Sequence, residues 1–479
     1  MNFLSKKVID FFVKKQVVYH PIPKKQLDAF NQTRTGGAKS LVCYAPFRNL
    51  YFRHQGKVVA CCYNREYVLG TYPEKSIHDI WFGNEAEKLR NHIKNNDLTL
   101  GCFGCENLFR AGNYDAVKAK MYDEYSENKK KYPSVMEFEL SNTCNLECIM
   151  CNGEFSSSIR KNREKKPPLE DVYDDEFVKQ LEDFIPYLDE VKFYGGEPFL
   201  IPVYYEIWDK IATENPNCRI SVQTNATTLN NRVKNCLEKG NFHLNISLDS
   251  LNKENFERIR KNANFERVIE NLHFFHAYAV SKSTFFGIST CVMKENWREL
   301  PAFIHFCNQL EAPIYFHTVY FPSQRALWNL DSRELNEIHD FLSQQTFPTD
   351  SEIQRKNKIH YENTLSLIEK WKLQAETLDQ FFEHFVPNKE SVDTIHVLYF
   401  LFQNSISAKT GQIDNQGELL LQFVFKRMNQ LFNLLPDNFP IDTILIRMKE
   451  FGVNLCIDAL RNQNEEILVN QLLSNRNEN

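Results

Sequence analysis

No stretch of this chain approaches the ~18 consecutive apolar residues of a membrane-spanning helix, so no membrane span is read in it. Neither sign of charge is in large excess: 57 Lys and Arg stand against 62 Asp and Glu, a net charge of −5. That balance gives no global field for nucleic acid, and no basic–aromatic stripe stands out, so nucleic acid is not an expected partner. No secretory leader is expected from the start of the sequence either. The apolar start is broken by Lys6, Lys7 and Asp10 and reads as an amphipathic helix docked on its own protein. Cysteine is not scarce: the 479 residues hold 13. So many thiols without a leader point to a reducing cytoplasm and metal ligation, not a disulfide scaffold.

What is present reads as an ordinary soluble globular chain of two or three domains. Three parts are expected: residues 1–133, rich in cysteine; 134–322, where short strands alternate with amphipathic segments; and 323–479, an all-helical extension. The middle part predicts strands at Val135–Leu140, Val191–Tyr194, Arg219–Gln223, His243–Leu248, Phe285–Val292 and Ile314–Val319. Helical spacing falls between them at Asp175–Tyr187, Tyr204–Glu214, Phe265–Val280 and Leu300–Leu310. Such alternation predicts an α/β fold with parallel strands, whose reactive face lies at the strand carboxyl ends. In the last part, Leu335, Ile338 and Leu342, then Leu365, Ile368 and Trp371, recur at helical spacing. Phe381-Phe382, Leu398–Phe402 and Leu419–Phe425 read there as core. The run Lys161–Pro168 reads as a mobile, solvated loop.

The most informative residues are Cys144, Cys148 and Cys151, at the end of the first of these strands. Chance gives roughly 0.01 copies of this three-cysteine spacing in such a chain. Three thiolates can hold three corners of a cubic iron–sulfur cluster and leave one iron open for chemistry. The Cys-x3-Cys-x2-Cys spacing resembles that of radical S-adenosylmethionine (radical SAM) enzymes. Further motifs follow in the family's order. Gly195-Gly196-Glu197-Pro198 after the second strand is similar to the turn whose backbone and carboxylate grip the SAM amino group. Thr224-Asn225 is similar to a Thr-Asn-Gly segment, with Ala226 in place of glycine. Ser247-Leu-Asp249 resembles the signature beside the SAM ribose and carboxylate. Arg260 stands where relatives hold the carboxylate, and Met150 where a side chain packs on adenine.

The resemblance implies a partial (β/α)6 TIM-like barrel. It also implies a SAM-binding [4Fe-4S] cluster, reductive cleavage of SAM to a 5′-deoxyadenosyl radical, and hydrogen abstraction from a substrate. A flavodoxin- or ferredoxin-type electron donor is implied as partner. Peptide or protein modification is the expected reaction. A small-molecule radical dehydrogenase or rearrangement enzyme is the alternative; an RNA-modifying enzyme and a non-catalytic iron–sulfur or zinc scaffold are weaker ones.

The N-terminal part resembles the auxiliary-cluster module called SPASM, or its one-cluster form, twitch, over about residues 40–112. The likeness rests on Gly56 leading to Cys61, the segment Ser76–Trp81, and Cys102-x2-Cys105. It implies a second [4Fe-4S] cluster on Cys43, Cys61, Cys102 and Cys105, with Cys62 as the alternative to Cys61; a four-cysteine zinc site is the competing reading. The module usually follows the barrel, and here it precedes it. Cys218, Cys236, Cys291, Cys307 and Cys456 stand alone and read as inert thiols. His317 and Tyr320, at the end of the last strand, are candidate acid–base or relay groups, with a core or rim role as the competing reading.

Overall fold

The structure, a computed structural model, describes residues 19–110, 112–125, 132–319, 322, 325–384 and a few single positions beyond 384. Strands β1 (Asn49–Arg53), β2 (Lys57–Val59) and β3 (Gly70–Thr71) come from the N-terminal part. Strands β4 (Val135–Glu139), β5 (Glu190–Phe193), β6 (Arg219–Thr224), β7 (Phe242–Ser247), β8 (Phe286–Val292) and β9 (Ile314–Thr318) come from the middle. They form one sheet, ordered β3-β2-β1-β4-β5-β6-β7-β8-β9. From β4 to β9 every neighbour is parallel. This is the expected α/β partial barrel, and each expected strand is found within a residue or so.

Alternation explains why these segments are strands. Leu244 and Ile246 of β7 are fully buried, while His243, Asn245 and Ser247 between them are half-buried on the opposite face. The apolar faces pack beneath helices such as Pro202–Glu214, where Tyr204, Trp208 and Ile211 are buried. Burial of each such side chain contributes about 1.5–3 kcal/mol. Helix starts follow the caps in the sequence: Asp174, Asn230, Asn252 and Asn264 each accept a backbone N–H from the first turn.

The N-terminal part is not separate from the sheet. Its β1 pairs in parallel with β4, residue for residue from Asn49–Val135 to Arg53–Glu139. The buried Arg34–Asp123 ion pair, 2.5 Å, ties its first described helix, Lys24–Gln32, to the segment Lys118–Tyr122.

At the other edge, helices Ser332–Ser343 and Glu352–His384 dock on each other, and the second also on Leu300–Gln309 and β9. Buried Asn357 accepts the Ile314 N–H at 2.9 Å. Leu335, Ile338, Leu342 and Ile368 are buried as their spacing predicts. Leu398–Phe402 and Leu419–Phe425 lie outside the described residues. Part of the Lys161–Pro168 run is ordered by contacts: Lys161 and Asn162 form the end of the helix Ser157–Asn162, and Glu164 accepts the Gly153 N–H at 2.7 Å. Among the described residues no helix is long and apolar enough to cross a membrane.

Candidate active site

The cysteine loop begins where β4 ends. Three serines at the start of the helix Ser157–Asn162 hold it: Ser157 Oγ accepts the Cys144 N–H at 3.1 Å, Ser158 donates to the Cys144 carbonyl, and Ser156 to the Leu146 carbonyl. Its other side pairs with the segment carrying Arg260, through Glu147 N–Lys261 O at 3.0 Å and Ile149 N–Ile259 O at 2.9 Å. The Gly195-Gly196 turn after β5 presses against the same loop. Both glycines have positive φ, 78° and 42°, and a Cβ on Gly196 would lie 2.1 Å from the Thr143 carbonyl oxygen. Only glycine fits there.

These elements open onto one cavity of about 1050 Å³. Cys144, Cys148 and Cys151 line it, as do Met150, Gly195, Gly196, Asn225, Ser247 and Arg260. Three expected contacts lie behind the wall. Glu197 is fully buried, its carboxylate accepting from Thr224 Oγ1 at 2.7 Å and the backbone N–H groups of Asn225 and Phe199 at 2.7 and 3.1 Å. Pro198 starts the following short turn and is buried. Asp249 is fully buried and pairs with Arg260 at 2.7 Å, while its Oδ1 accepts the Cys291 N–H. The glycine backbone faces the cavity, and the acids brace it from behind.

This donor set fits an iron–sulfur cluster. Burial pushes the Cys144 thiol up to about 11 and Cys148 to about 12, so both stay protonated near neutral pH until a cationic cluster claims them. Arg260 Nε, buried in the wall, has no hydrogen-bond partner among the described residues. Met150 joins an apolar patch with Ile259, Met293 and Val319, suited to a flat ring.

His317 lines the cavity, with Nε2 3.2 Å from Ser289 Oγ, and burial holds its imidazole neutral. Tyr320 lies outside the described residues. Of the isolated cysteines, Cys218, Cys236 and Cys307 are buried as expected, whereas Cys291 opens onto the cavity.

In the N-terminal part, Cys43, Cys61, Cys102 and Cys105 converge closely enough for their charges to couple. Each sulfur meets N–H donors: Ala45 on Cys43, Tyr63 and Asn64 on Cys61, the Asn64 side chain on Cys102, and Lys118 and Ala119 on Cys105. Such donors stabilise thiolates and tune a cluster. Cys62 points elsewhere: it lines the large cavity with Tyr51 and Tyr63. Among the described residues no three His, Cys, Asp or Glu side chains close on a single-ion point.

Sequence reasoning missed the polar barrel interior. Glu139, Lys192, Ser221, Gln223, His243 and Asn245 all line the cavity beneath the cysteines. The signal was available, because these residues occupy every second position of β4 to β7.

The family model described as the radical SAM superfamily matches residues 138–307, and that of SPASM, an iron–sulfur cluster-binding domain, matches residues 43–106. A probable GTP 3′,8-cyclase of Methanocaldococcus jannaschii is 30% identical over 177 residues, 37% of this chain and 56% of that protein. A cysteine-type anaerobic sulfatase-maturating enzyme of Clostridium novyi is 30% identical over 182 residues, 35% of this chain and 45% of that protein. The chain thus spans about half the length of these curated relatives. Among solved structures, native anSMEcpe with bound AdoMet aligns with a TM-score of 0.34 at 17% identity, over 44% of this chain and 60% of that one. Streptococcus suis SuiB bound to S-adenosylmethionine aligns with a TM-score of 0.33 at 14% identity, over 54% of this chain and 56% of that one. The spacing of the cysteine loop, the parallel sheet and both family matches agree: residues 138–307 are a radical SAM domain, and a SPASM iron–sulfur domain at residues 43–106 precedes it.

Proposed function

We propose that this chain uses SAM to start radical chemistry on a peptide or protein side chain held in the barrel cavity. Cys144, Cys148 and Cys151 would hold a [4Fe-4S] cluster, and Cys43, Cys61, Cys102 and Cys105 a second, auxiliary one. When bound, cluster and SAM supply one-electron cleavage to methionine and a 5′-deoxyadenosyl radical, which takes a hydrogen atom from the substrate. The protein's own residues bind and orient. The Gly195-Gly196 backbone receives the SAM amino end. Arg260, fixed by Asp249, receives its carboxylate, and Met150 packs on its ring. Buried side chains around the thiols keep water away.

One observation carries the reading: the triad, the glycine turn and Arg260 line the same cavity as the polar barrel interior. The SPASM match and the sulfatase-maturating relative favour a peptide substrate. The wide mouth agrees, since Tyr63 and Met121 stand exposed there, 44% and 40%. The polar interior and the relatives named as GTP 3′,8-cyclases favour a small polar molecule as the second reading. For the auxiliary site, four converging cysteines within the stretch that matches the SPASM model favour an iron–sulfur cluster over zinc.

The test is iron and sulfide content after anaerobic reconstitution, with a SAM-cleavage assay under reduction. Two clusters' worth of iron, about eight atoms, and 5′-deoxyadenosine lost in the Cys144/Cys148/Cys151→Ala triple variant are expected. SAM cleavage that survives in that variant would overturn the assignment.

A further inference from the structure

The floor of the cavity carries a charge that the proposed SAM chemistry does not use. Lys192, on β5, is 9% exposed and lines the cavity. Its ammonium closes no ion pair within 4.0 Å among the described residues; it hydrogen-bonds the Tyr125 hydroxyl, whose ring centroid lies 5.6 Å from Nζ, and keeps two of its three N–H donors for another partner. None of the nearby acids closes on it directly. Glu190 takes Arg219 at 3.1 Å, Ser221 Oγ at 2.5 Å and the Tyr125 hydroxyl. Glu137, behind the wall, takes Tyr122 at 2.6 Å and Asn49 at 2.8 Å on Oε1, and its Oε2 has no hydrogen-bond partner among the described residues. Glu139 takes Arg65 at 2.6 Å and Tyr51 at 2.7 Å. Glu137 and Glu190 act on the ammonium from longer range and keep it protonated against its burial.

A second donor stands at the same level. The register pairs Lys192 with Ser221, and Ser221 with His243. His243 also lines the cavity, and its Nδ1 accepts the Phe285 N–H at 3.2 Å. Burial keeps that ring neutral, which leaves its proton on Nε2. An ammonium and an imidazole N–H therefore share one layer of the barrel, three residues below Gly195, or about 10 Å along the strand. That depth separates them from the glycine turn proposed to receive the SAM amino end.

We propose that Lys192 and His243 form an anion-binding floor, so that the substrate carries a carboxylate or phosphate that reaches into the barrel. The inference deepens the reading of this cavity as the substrate site, yet anion binding can be measured without turnover. The reconstituted full-length protein is titrated anaerobically with glutarate and with inorganic phosphate. Glutaramide and 1,5-diaminopentane serve as neutral and cationic controls, and calorimetry and thermal midpoint are the readouts. Saturable binding of one of the two anions is expected, and which one identifies the substrate group. Lys192→Met weakens it roughly 10- to 150-fold, as loss of a buried charge-assisted hydrogen bond does. Lys192→Arg retains it, and SAM affinity is unchanged in both. Should Lys192→Met not fold, Lys192→Gln and His243→Phe carry the same expectation. Equal anion binding without Lys192, tighter binding of either control, or no saturable anion binding up to about 50 mM would overturn the proposal. Loss of SAM cleavage with anion binding intact would instead strike at the radical chemistry.

Discussion

Gly196→Ala is the sharpest probe of how the turn and the cysteine loop depend on each other. Gly196 sits at φ 42°, where a side chain costs about 1–2 kcal/mol. The steric conflict is larger. The new Cβ would lie 2.1 Å from Thr143 O, 2.6 Å from Thr143 C and 2.8 Å from Asn142 C, all backbone atoms. Restoring a contact of about 3 Å at the oxygen needs a separation of roughly 1 Å more. The same oxygen accepts the Glu197 N–H at 2.8 Å, so the turn cannot retreat without giving up that bond. Thr143 immediately precedes Cys144, and the displacement passes to the first of the three proposed cluster ligands. A misplacement of about 1 Å in a reacting site costs on the order of 100-fold in rate. The assay is the rate of 5′-deoxyadenosine formation at matched iron content, with the melting midpoint recorded in parallel. A folded variant whose rate stays within about threefold of the parent would refute the coupling.

Three further outcomes are expected. Cys61→Ala should lose about four irons from the reconstituted protein while Cys62→Ala keeps them, because only Cys61 faces the other three sulfurs; equal loss in both variants would refute that placement. Ala226, buried at φ 56°, holds a left-handed backbone that glycine adopts freely, so Ala226→Gly should raise stability by up to about 1 kcal/mol, read as a higher melting midpoint. Asp97 is fully buried; burial opposes its charge, but the His20 and Thr99 N–H groups, the Thr99 hydroxyl and His92 together hold its carboxyl below the ordinary range. A depressed carboxyl stabilises the fold above its unfolded pKa and loses that contribution as pH falls through the folded value. Asp97→Asn should therefore cost about 1–3 kcal/mol near pH 7 and progressively less below about pH 4, in melts followed by circular dichroism.

Most strands of the barrel were legible because alternation in β4 to β7 is a local pattern, and the helices between them because spacing and caps are local too. The cysteine triad was legible from spacing alone. The parallel pairing of β1 with β4 was not, since a pairing partner far along the chain leaves no trace in either segment. Nor could sequence separate Cys61 from Cys62: neighbours in a tight turn point to opposite sides, and only the fold shows which side holds the other thiols. Glu197 illustrates a different limit. Its motif marks the turn correctly, yet its carboxylate braces β6 through Thr224 and Asn225 and does not line the cavity.

The pairing of β1 with β4 also has a meaning in time. The ribosome delivers β1 and all four auxiliary cysteines before the first residue of β4 exists. From Arg53 to Val135 is 135 − 53 = 82 residues, roughly 4–16 s of synthesis at 5–20 residues per second. During that interval β1 offers an open edge, and the first barrel strand emerges beside a template already made. A chain with the same module after its barrel would have to close that edge last. Here the four N-terminal cysteines, the proposed auxiliary ligands, are in place first, and the cysteine loop after β4 is built against them.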